Sequence, residues 1–256
     1  IDYTHRHGTL TSFSKEDDSS RSAFLLMWFG IRIAQGGILF LLYLRSGKGS
    51  TGNVQHLGKG GGDFPCTAEL QAAVPFLRKA YGDSMDNVLH VGPDACSVVS
   101  LLLKQGAETE AWGIEPYDVE DADGFCRKMV RKGIVRVADI KFPLPYKPKS
   151  FSLVVVSDAL DYLSPKYLNQ TLPDLARIAK QGLAIFTGYP HRQKEKGGEI
   201  HRFGRTAKLR SSSWWARYFI QTSLEENEGA AGKFEEAARK ASYKPTCQIF
   251  HLKPYD

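Results

Sequence analysis

The sequence lacks the patterns that mark several common classes of protein. Its 256 residues contain four cysteines, Cys66, Cys96, Cys126 and Cys247, and no two of them form a Cys-x-x-Cys pair. That spacing argues against a zinc site, so no metal is predicted. Four cysteines would permit disulfides in an oxidising compartment, but their spacing does not indicate which residues pair. No internal repeat is present, and the ordinary composition excludes a fibrous protein or wholesale disorder.

Positive charge is concentrated in one part of the chain. The stretch 188–217 has a net charge of +6, equal to the excess of the whole sequence. It contains two glutamates and eight basic residues: Arg192, Lys194, Lys196, Arg202, Arg205, Lys208, Arg210 and Arg217. Such a segment indicates an anionic partner, with a solvated loop as an equally weighted alternative.

The first 64 residues differ in character from the rest. Residues 1–22 are polar and predict an exposed or disordered tail. Residues 23–44 are the most apolar stretch, and their length of 22 residues matches the roughly 20 needed to span a bilayer. A single-pass anchor is the preferred interpretation; a buried or interfacial helix and a cleaved signal peptide are the alternatives, because Arg32 lies near the centre. Residues 45–64 are typical of a flexible Gly/Ser/Lys-rich linker, which leaves 65–256 as the globular domain.

Helical and strand patterns alternate through that domain. This alternation predicts an α/β fold with a mostly parallel sheet and helices on both faces. Thr67 is a plausible cap of the first helix. The predicted strands span 87–91, 110–114, 134–138, 151–156, 183–186 and 247–252, and the predicted helices span 67–81, 95–104, 124–132, 165–180 and 225–241.

Residues just past the strands are candidates for a ligand site, because such sheets bind ligands at the carboxyl ends of their strands. After the first strand, His90, Gly92, Pro93 and Asp94 form a turn before a helix N-terminus, whose free N–H groups can approach a ligand. The single glycine there is too few for the dinucleotide fingerprint of a nicotinamide dehydrogenase. Glu115 ends the second strand 23 residues after Gly92, the spacing of an acid that binds a ribose diol.

Two further strand ends extend the predicted site. Asp139 follows the third strand and can accept a hydrogen bond from the exocyclic amine of adenine, with Ile140 against the ring face. The run Ser157-Asp158-Ala159-Leu160-Asp161-Tyr162-Leu163 follows the fourth strand. It is expected to form the floor beside the cofactor and the lip of a substrate pocket.

An ordered set of motifs carries a family resemblance. The run ADIKFPLPYKPKSFSLVVVSDALDYLSP resembles the middle motifs of class I methyltransferases, although His90-Val91-Gly92 stands where those enzymes usually carry an acid–x–Gly–x–Gly motif. More narrowly, the chain resembles the plant Golgi pectin (homogalacturonan) methyltransferases, the cotton-Golgi-related family. That similarity is carried by VLHVGPDACSVVS, AWGIEPYDVEDAD, RSSSWWARYFIQTSLEENE and SYKPTCQIFHLKP.

The resemblance implies a Rossmann-like class I methyltransferase fold that binds S-adenosyl-L-methionine. It also implies a single-pass Golgi membrane protein with a lumenal catalytic domain, which methyl-esterifies galacturonic acid carboxylates of homogalacturonan and could act with pectin-synthesis partners. The Asn169-Gln170-Thr171 sequon would be a glycosylation site in that compartment.

Methyl transfer to a sugar carboxylate requires no general base, because the nucleophile is already ionised near neutral pH. The polymer that carries this carboxylate would need cationic and aromatic side chains of the protein to bind it. Asp158 or Asp161 is the catalytic candidate that could offset the sulfonium charge. The predicted substrate-binding residues are Arg205, Lys208, Arg210 and Trp214, although packing of a helix on the sheet is the alternative role for Trp214-Trp215.

Other functions are weaker interpretations. The reduced glycine motif would also suit a non-catalytic S-adenosylmethionine-binding or scaffolding subunit. A nucleic-acid methyltransferase is disfavoured, because Ser157-Asp158-Ala159-Leu160 stands where many base methylases carry an Asn-Pro-Pro-Tyr loop; no nucleic-acid partner is therefore predicted. His90, His191 and His201 are expected to be core or surface histidines rather than catalytic bases.

Overall fold

The computed structural model describes residues 64–106, 108–117, 119, 122–190 and 206–255. The predicted tail and anchor, most of the linker, and Arg205, His191 and His201 lie outside the described residues. Within the described ranges, no helix has the length and apolarity needed to cross a membrane.

Helices and strands alternate along the described chain, as the sequence pattern predicts. The strands are β1 (Asn87–Val91), β2 (Glu110–Glu115), β3 (Val135–Val137), β4 (Phe151–Ser157), β5 (Ala179–Thr187) and β6 (Gln248–Leu252). The α-helices are α1 (Pro65–Tyr81), α2 (Ala95–Lys104), α3 (Gly124–Arg131), α4 (Pro165–Ile178), α5 (Ser212–Gln221) and α6 (Glu228–Lys240). Short 3-10 turns span Gly82–Met85 and Ala159–Tyr162.

The strands form a mixed sheet in the order β3-β2-β1-β4-β5-β6. Strands β1 to β5 are parallel, and β6 is antiparallel to β5. The chain runs from β1 out to β2 and β3 and then returns to the other side of β1 as β4. The strand order therefore reverses between β1 and β4, and the crevice at the carboxyl ends of these two strands is the expected ligand site.

The core lies on both faces of the sheet, because successive strand side chains point to opposite sides. In β4, Leu153 belongs to the core cluster on the face covered by α1, α2, α3 and α6, whereas Val154 belongs to the cluster on the face covered by α4 and α5. The prediction of helices on both faces is confirmed. The continuous apolar run of β4 is typical of a strand that is covered on both sides.

Helix α5 was not predicted, and its surroundings explain why. It follows the basic, serine-rich stretch that reads as a surface loop. The Ser211 hydroxyl accepts a hydrogen bond from the Trp214 amide at 3.2 Å and caps the helix. Trp215 and Phe219, four residues apart, are buried on one face. The signal that could have revealed the helix is this spacing together with a serine cap.

Thr67 is not the cap of the first helix, so that prediction is wrong. Helix α1 begins two residues earlier, at Pro65, and Phe64 occupies the cap position without a side-chain hydrogen bond. Proline suits this first helical position because its missing N–H would have no partner there. The side chain of Thr67 instead reaches the end of β4, where it takes part in the candidate site.

All four cysteines are paired. Cys66 in α1 is bonded to Cys247, just before β6, across a sequence separation of 181 residues; we call this the long-range disulfide. Cys96 in α2 is bonded to Cys126 in α3 across 30 residues, and this is the short-range disulfide. The long-range disulfide therefore ties the start of the described domain to its last strand.

Candidate functional site

Gly92 lies at the point where the ends of β1 and β4 approach each other most closely. A Cβ atom at this position would lie 2.5 Å from the carbonyl oxygen of Ser157 and 2.8 Å from its hydroxyl. The Gly92 amide donates to the carbonyl of Ile114 at 3.0 Å. Only glycine fits there without moving β4. The packing of the sheet by itself requires this glycine, and its predicted contact with a ligand stays a prediction.

The turn after Gly92 leads directly into α2. Pro93 is buried, and Asp94 adopts a left-handed conformation with φ of 55° before the helix starts. The exposed Asp94 carboxylate accepts from the Ser97 hydroxyl at 2.6 Å. The N-terminus of α2 thus points toward the carboxyl edge of the sheet, as the sequence predicts.

Glu115 is buried at the end of β2, beside that helix N-terminus. Its Oε2 atom accepts a hydrogen bond from the amide of Ala95 at 3.1 Å. Burial raises the pKa of Glu115 to about 8, against the opposing effect of this hydrogen bond. A carboxyl group at this edge can accept from ribose hydroxyls, so its position suits the predicted role.

Asp139 lies on the neighbouring strand end. The amide of Ala138 donates to the carbonyl of Glu115 at 3.1 Å, so Asp139 comes one residue after this contact. Its carboxylate is paired with Lys141 at 2.7 Å. Ile140 is buried, and its carbonyl accepts from the Thr171 hydroxyl at 2.7 Å. The structure thus brings the two predicted adenosine-binding acids to adjacent strand ends, while the adenine contact itself stays a prediction.

A chain of buried hydrogen bonds joins β1, β4 and α1. The Nε2 atom of His90 lies 2.9 Å from the Ser157 hydroxyl, which lies 2.7 Å from the Thr67 hydroxyl. Thr67 in turn donates to Asp158 at 2.9 Å. Burial lowers the pKa of His90 to about 3, so the ring is neutral at physiological pH. His90 is a core histidine, as expected, and its side chain and that of Ser157 are fully buried. The predicted contacts of these two residues with a cofactor stay predictions.

Asp158 acts as a remote cap for α1. Its oxygens accept hydrogen bonds from the amides of Cys66 at 3.3 Å and Thr67 at 2.6 Å, in addition to the Thr67 hydroxyl. These amides are among the four at a helix start that lack partners within the helix. Burial raises the pKa of Asp158 to about 6, and the three hydrogen bonds oppose this rise. The placement favours a structural role over the predicted catalytic one.

Asp161, three residues later, is held differently. Its Oδ2 atom accepts from the amide of Gly188 at 2.9 Å. Its Oδ1 atom is buried and has no hydrogen-bond partner among the described residues. Burial raises the pKa of Asp161 well above its usual value. Asp161 is therefore a buried acid that ties the turn after β4 to the end of β5.

Of the aromatic rings beside these acids, Phe64 and Tyr117 were missed in the sequence, whereas Tyr162 belongs to the run 157–163 that is predicted to border the cofactor. Phe64 stacks on Tyr117 with ring centroids 6.1 Å apart, and Tyr117 meets Tyr162 edge to face at 6.0 Å. Burial, then the neighbours Tyr162, Glu115, Asp158 and Asp161 in that order, raise the pKa of Tyr117. The available signal for Tyr117 was its position, because it follows the predicted site acid Glu115 by two residues.

The predicted substrate-binding residues are placed unequally. Arg210 is buried, and its guanidinium donates to the carbonyls of Leu160 at 3.2 Å and Leu163 at 2.6 Å. These bonds hold the turn after β4, so the placement favours a structural role over contact with a polymer. Lys208 is exposed, and its amide donates to the carbonyl of Asp161 at 2.6 Å.

The tryptophan pair divides between packing and exposure. Trp215 is fully buried, which confirms the alternative of helix packing for that residue. Trp214 is half-buried, stacks on Tyr218 with centroids 5.0 Å apart and lies 4.8 Å from the Arg210 guanidinium. Arg205 lies outside the described residues.

Known proteins resemble this chain closely in sequence. "Probable pectin methylesterase CGR3" of Arabidopsis thaliana is 63% identical over 219 residues, which are 86% of this chain and 84% of the relative. "Probable pectin methylesterase CGR2" of the same plant is 61% identical over the same shares. No known protein-family profile matches the chain.

Solved methyltransferases share the fold. A chain from the complex between the Haloferax volcanii Trm112 methyltransferase activator and a methyltransferase superposes with a TM-score of 0.52 at 12% identity, over 74% of this chain and 92% of that one. A Burkholderia thailandensis 1,6-didemethyltoxoflavin-N1-methyltransferase, solved with its substrate and S-adenosylhomocysteine, gives 0.50 at 9% identity over 96% and 94%. At such identities the likeness shows the fold alone, which is the predicted class I methyltransferase fold.

Proposed function

Because this chain belongs to the cotton-Golgi-related family, to which the Arabidopsis thaliana proteins CGR3 and CGR2 belong, we propose that it methyl-esterifies galacturonic acid carboxylates of homogalacturonan. The cofactor is S-adenosylmethionine. The observation that carries this proposal is a buried acidic edge on a class I methyltransferase sheet. That edge lies at the reversal of strand order between β1 and β4.

The residues at this edge suit a positively charged adenosine cofactor. Glu115 is buried beside the N-terminus of α2, where its carboxylate would accept from both ribose hydroxyls. Asp139 on the next strand end would accept from the adenine amine. Asp161 lies buried in the turn after β4, at the same edge of the sheet.

When bound, S-adenosylmethionine supplies a methyl group attached to a positively charged sulfur. A nucleophilic oxygen can attack this methyl group, and the sulfur leaves as a neutral thioether. The protein's task is to hold a carboxylate oxygen in line, an orientation effect that contributes several kcal/mol. No residue has to remove a proton, because galacturonate is ionised already. The neutral, buried His90 is compatible with this requirement.

The substrate would be held by positive charge near the turn after β4. The exposed Lys208 is bonded through its amide to the carbonyl of Asp161, so the basic stretch rejoins the described fold beside the site. Trp214 presents a half-buried ring on the adjoining helix α5. A polyanion such as homogalacturonan fits a stretch with a net charge of +6.

The two disulfides support a Golgi-lumenal location for the domain. Both bonds join separate elements of the fold, and no cysteine is left free. Structural disulfides persist in oxidising compartments and are rare in the cytosol. A lumenal domain anchored by residues 23–44 would meet nascent pectin there, beside the enzymes of pectin synthesis.

Ester hydrolysis is the second candidate, because the relatives are named methylesterases. The hydrogen bond between His90 and Ser157, at 2.9 Å, superficially resembles a hydrolytic pair. Both residues are fully buried, however, and the Nδ1 atom of His90 has no partner among the described residues. A serine nucleophile needs access to its ester and a histidine oriented by a third group. This arrangement therefore argues against ester hydrolysis by a serine nucleophile at Ser157.

One pair of assays separates the two functions. The full chain is incubated with methyl-labelled S-adenosylmethionine and de-esterified polygalacturonate, and in parallel with highly esterified pectin alone. We expect base-labile label on the polymer in the first reaction and no methanol release in the second. Methanol release that is lost in Ser157→Ala would establish an esterase instead. Cofactor binding without label on the polymer would favour a scaffolding subunit.

A further inference from the structure

A second basic stretch, residues 127–149, surrounds the end of β3. It contains eight basic residues and one acid, Asp139, so its net charge of +7 exceeds that of the stretch 188–217. Asp139 pairs with Lys141 at 2.7 Å, and the other seven basic residues are exposed. The described protein therefore has a strongly positive surface that the proposed methyl transfer does not use.

The loop between β3 and β4 carries part of this charge and runs alongside helix α4. Near its start, the carbonyl of Ile140 accepts a hydrogen bond from the Thr171 hydroxyl at 2.7 Å. At its end, the amide of Lys149 donates to the carbonyl of Arg177 at 2.9 Å. Thr171 lies in the first half of α4 and Arg177 in its last turn. The loop therefore follows the helix in the same direction.

Arg177 and Asp174 fasten the middle of this loop. The Arg177 guanidinium donates to the carbonyls of Tyr146 at 2.8 Å and Leu144 at 3.2 Å. It also pairs with Asp174 at 2.6 Å, and Asp174 accepts from the Leu144 amide at 2.7 Å. A surface whose backbone is already fixed loses little freedom when a ligand binds. The loop is thus suited to present its side chains in constant positions.

Cationic side chains lie beside aromatic rings at two places along this loop. Lys141 and Lys166 lie over the ring of Tyr167, at 5.4 and 5.9 Å from its centroid. The guanidinium of Arg136 lies 5.7 Å from the centroid of Tyr146. Tyr167 is in the first turn of α4, and Tyr146 is bonded to its last turn. Because a helix rises about 1.5 Å per residue, the two clusters are about 15 Å apart.

These side chains form one strip beside α4. We call it the cationic strip and define it by Arg136, Lys141, Tyr146, Lys147, Lys166 and Tyr167. Phe142 lies between the two clusters in the sequence, and its side chain is 66% exposed. The strip therefore combines a row of positive charges with an accessible aromatic ring.

The cationic strip fits a chain of acidic sugars. A polyuronate carries one carboxylate on each sugar, so a row of cations can pair with several of them at once. The C–H faces of sugar rings pack on an aromatic ring such as that of Phe142. Binding to a lipid bilayer scales with the apolar area that inserts, whereas the strip consists mainly of cations. These properties favour an anionic polysaccharide over a membrane surface.

We infer that the cationic strip binds homogalacturonan outside the reacting site, so that one polymer molecule contacts the protein in two places. The inference rests on the proposed function, which supplies the polymer. The strip begins close to the candidate site, because α4 starts just after the turn that follows β4. Two contacts on one chain make the second contact intramolecular, so long chains should bind more tightly than short ones.

Binding of oligogalacturonates of two lengths tests this inference. Labelled trigalacturonate and a de-esterified oligomer longer than the strip are titrated with the full chain, and fluorescence anisotropy is measured. The variant Arg136→Gln/Lys147→Gln/Lys166→Gln removes three exposed charges and leaves the pair of Lys141 with Asp139 intact. We expect its dissociation constant for the long oligomer to rise about tenfold, because each exposed ion pair changes an affinity about twofold. Most of the advantage of the long oligomer over trigalacturonate should disappear.

A matched variant on the opposite face of the sheet controls for overall charge. Lys233→Gln/Arg239→Gln/Lys244→Gln also removes one arginine and two lysines, all of them exposed. These residues lie on α6 or just after it, and α6 packs on the face of the sheet opposite to α4. We expect the dissociation constant for the long oligomer to change by less than about twofold, because distant exposed charges are screened at physiological salt.

Equal binding of the long oligomer by the wild type and the strip variant would overturn the inference, and so would equal weakening in the two variants. Sedimentation with vesicles of phosphatidylcholine and phosphatidylserine provides a further comparison. If the strip variant loses the vesicles and keeps the oligomer, the strip is a lipid-binding surface and the inference fails. Methyl transfer to trigalacturonate is measured separately. Absence of transfer by the wild type would contradict the proposed function, whereas strip-dependent binding of the long oligomer would still support the strip.

Discussion

Replacement of Glu115 by glutamine should abolish a pH dependence of adenosine binding. Burial raises the pKa of Glu115 to about 8, so the free protein carries this group mostly protonated at neutral pH. Two ribose hydroxyls donate best to the ionised carboxylate, which is acceptor-only. Binding therefore releases a proton, and the affinity rises with pH until about pH 8 and then levels. Glutamine cannot titrate, so its affinity should stay flat.

The size of the effect follows from the pKa. A carboxyl group with a pKa of about 8 is about 1% ionised at pH 6 and half ionised at pH 8. If only the ionised form binds, the affinity changes about fifty-fold between these two pH values. The protonated group retains one good acceptor, so we expect a change of at least about tenfold.

S-adenosylhomocysteine is the ligand for this measurement, because it shares the ribose with S-adenosylmethionine and its sulfur is uncharged. Dissociation constants at pH 6, 7 and 8 are compared for the wild type and Glu115→Gln by calorimetry. Asp139→Asn, at the exposed carboxylate paired with Lys141, serves as a control for the slope alone: loss of the predicted adenine contact should weaken binding equally at the three pH values. The reasoning fails if the wild-type affinity does not vary with pH, or if Glu115→Gln keeps the wild-type slope.

Three further predictions concern the framework of the site. Gly92→Ala should lower the free energy of unfolding by about 1–3 kcal/mol in urea titrations, because the added Cβ would meet β4 and overpacking has that cost. As a control, Gly232→Ala should raise the free energy of unfolding by about 1 kcal/mol. Gly232 is an exposed helical residue, and a Cβ there would have no atom within 4 Å. Removal of the long-range disulfide, which closes a loop of 181 residues, should lower the free energy of unfolding by about 5 kcal/mol, because cross-linking restricts the unfolded chain. Removal of the short-range disulfide, which closes 30 residues, should lower it by about 4 kcal/mol. A larger loss for the short-range disulfide in chemical denaturation would contradict this account. Arg210→Met should lower the free energy of unfolding by roughly 1–3 kcal/mol, because it leaves two carbonyls without donors. Unchanged thermal stability of this variant would argue against a structural role for Arg210.

The fold was predictable because its signals are local. The apolar run of β4 and the helical period of α2 are contained within a few residues, and both elements appear at or near their predicted bounds. Strand β5 begins four residues before its predicted start at 183. The prediction was late because Lys180 and Gln181 are polar, exposed residues that resemble the end of a helix. There α4 passes into the strand without an intervening loop.

The partners within the site could not be predicted, because they are distant in sequence. Asp158 and Asp161 are chemically identical and three residues apart. What distinguishes them is that Asp158 lies beside the amides at the start of α1. One of these amides belongs to Thr67, which is 91 residues away from Asp158 in the sequence. The disulfide pairing is undetermined in the sequence for the same reason. Glu115 was placed correctly at its strand end, since its position depends on the spacing within one strand–helix–strand unit.

His90 explains how the reduced glycine motif is compatible with a cofactor site. Class I enzymes usually carry an acid near the end of β1, and here that place holds a buried histidine whose pKa is lowered to about 3 by burial. The β1 strand therefore supplies no charge and binds β4 through Ser157 instead. Buried carboxyl groups stand instead at the end of β2, in Glu115, and in the turn after β4, in Asp158 and Asp161. The crevice between β1 and β4 therefore has acidic side chains on both sides although β1 itself carries none.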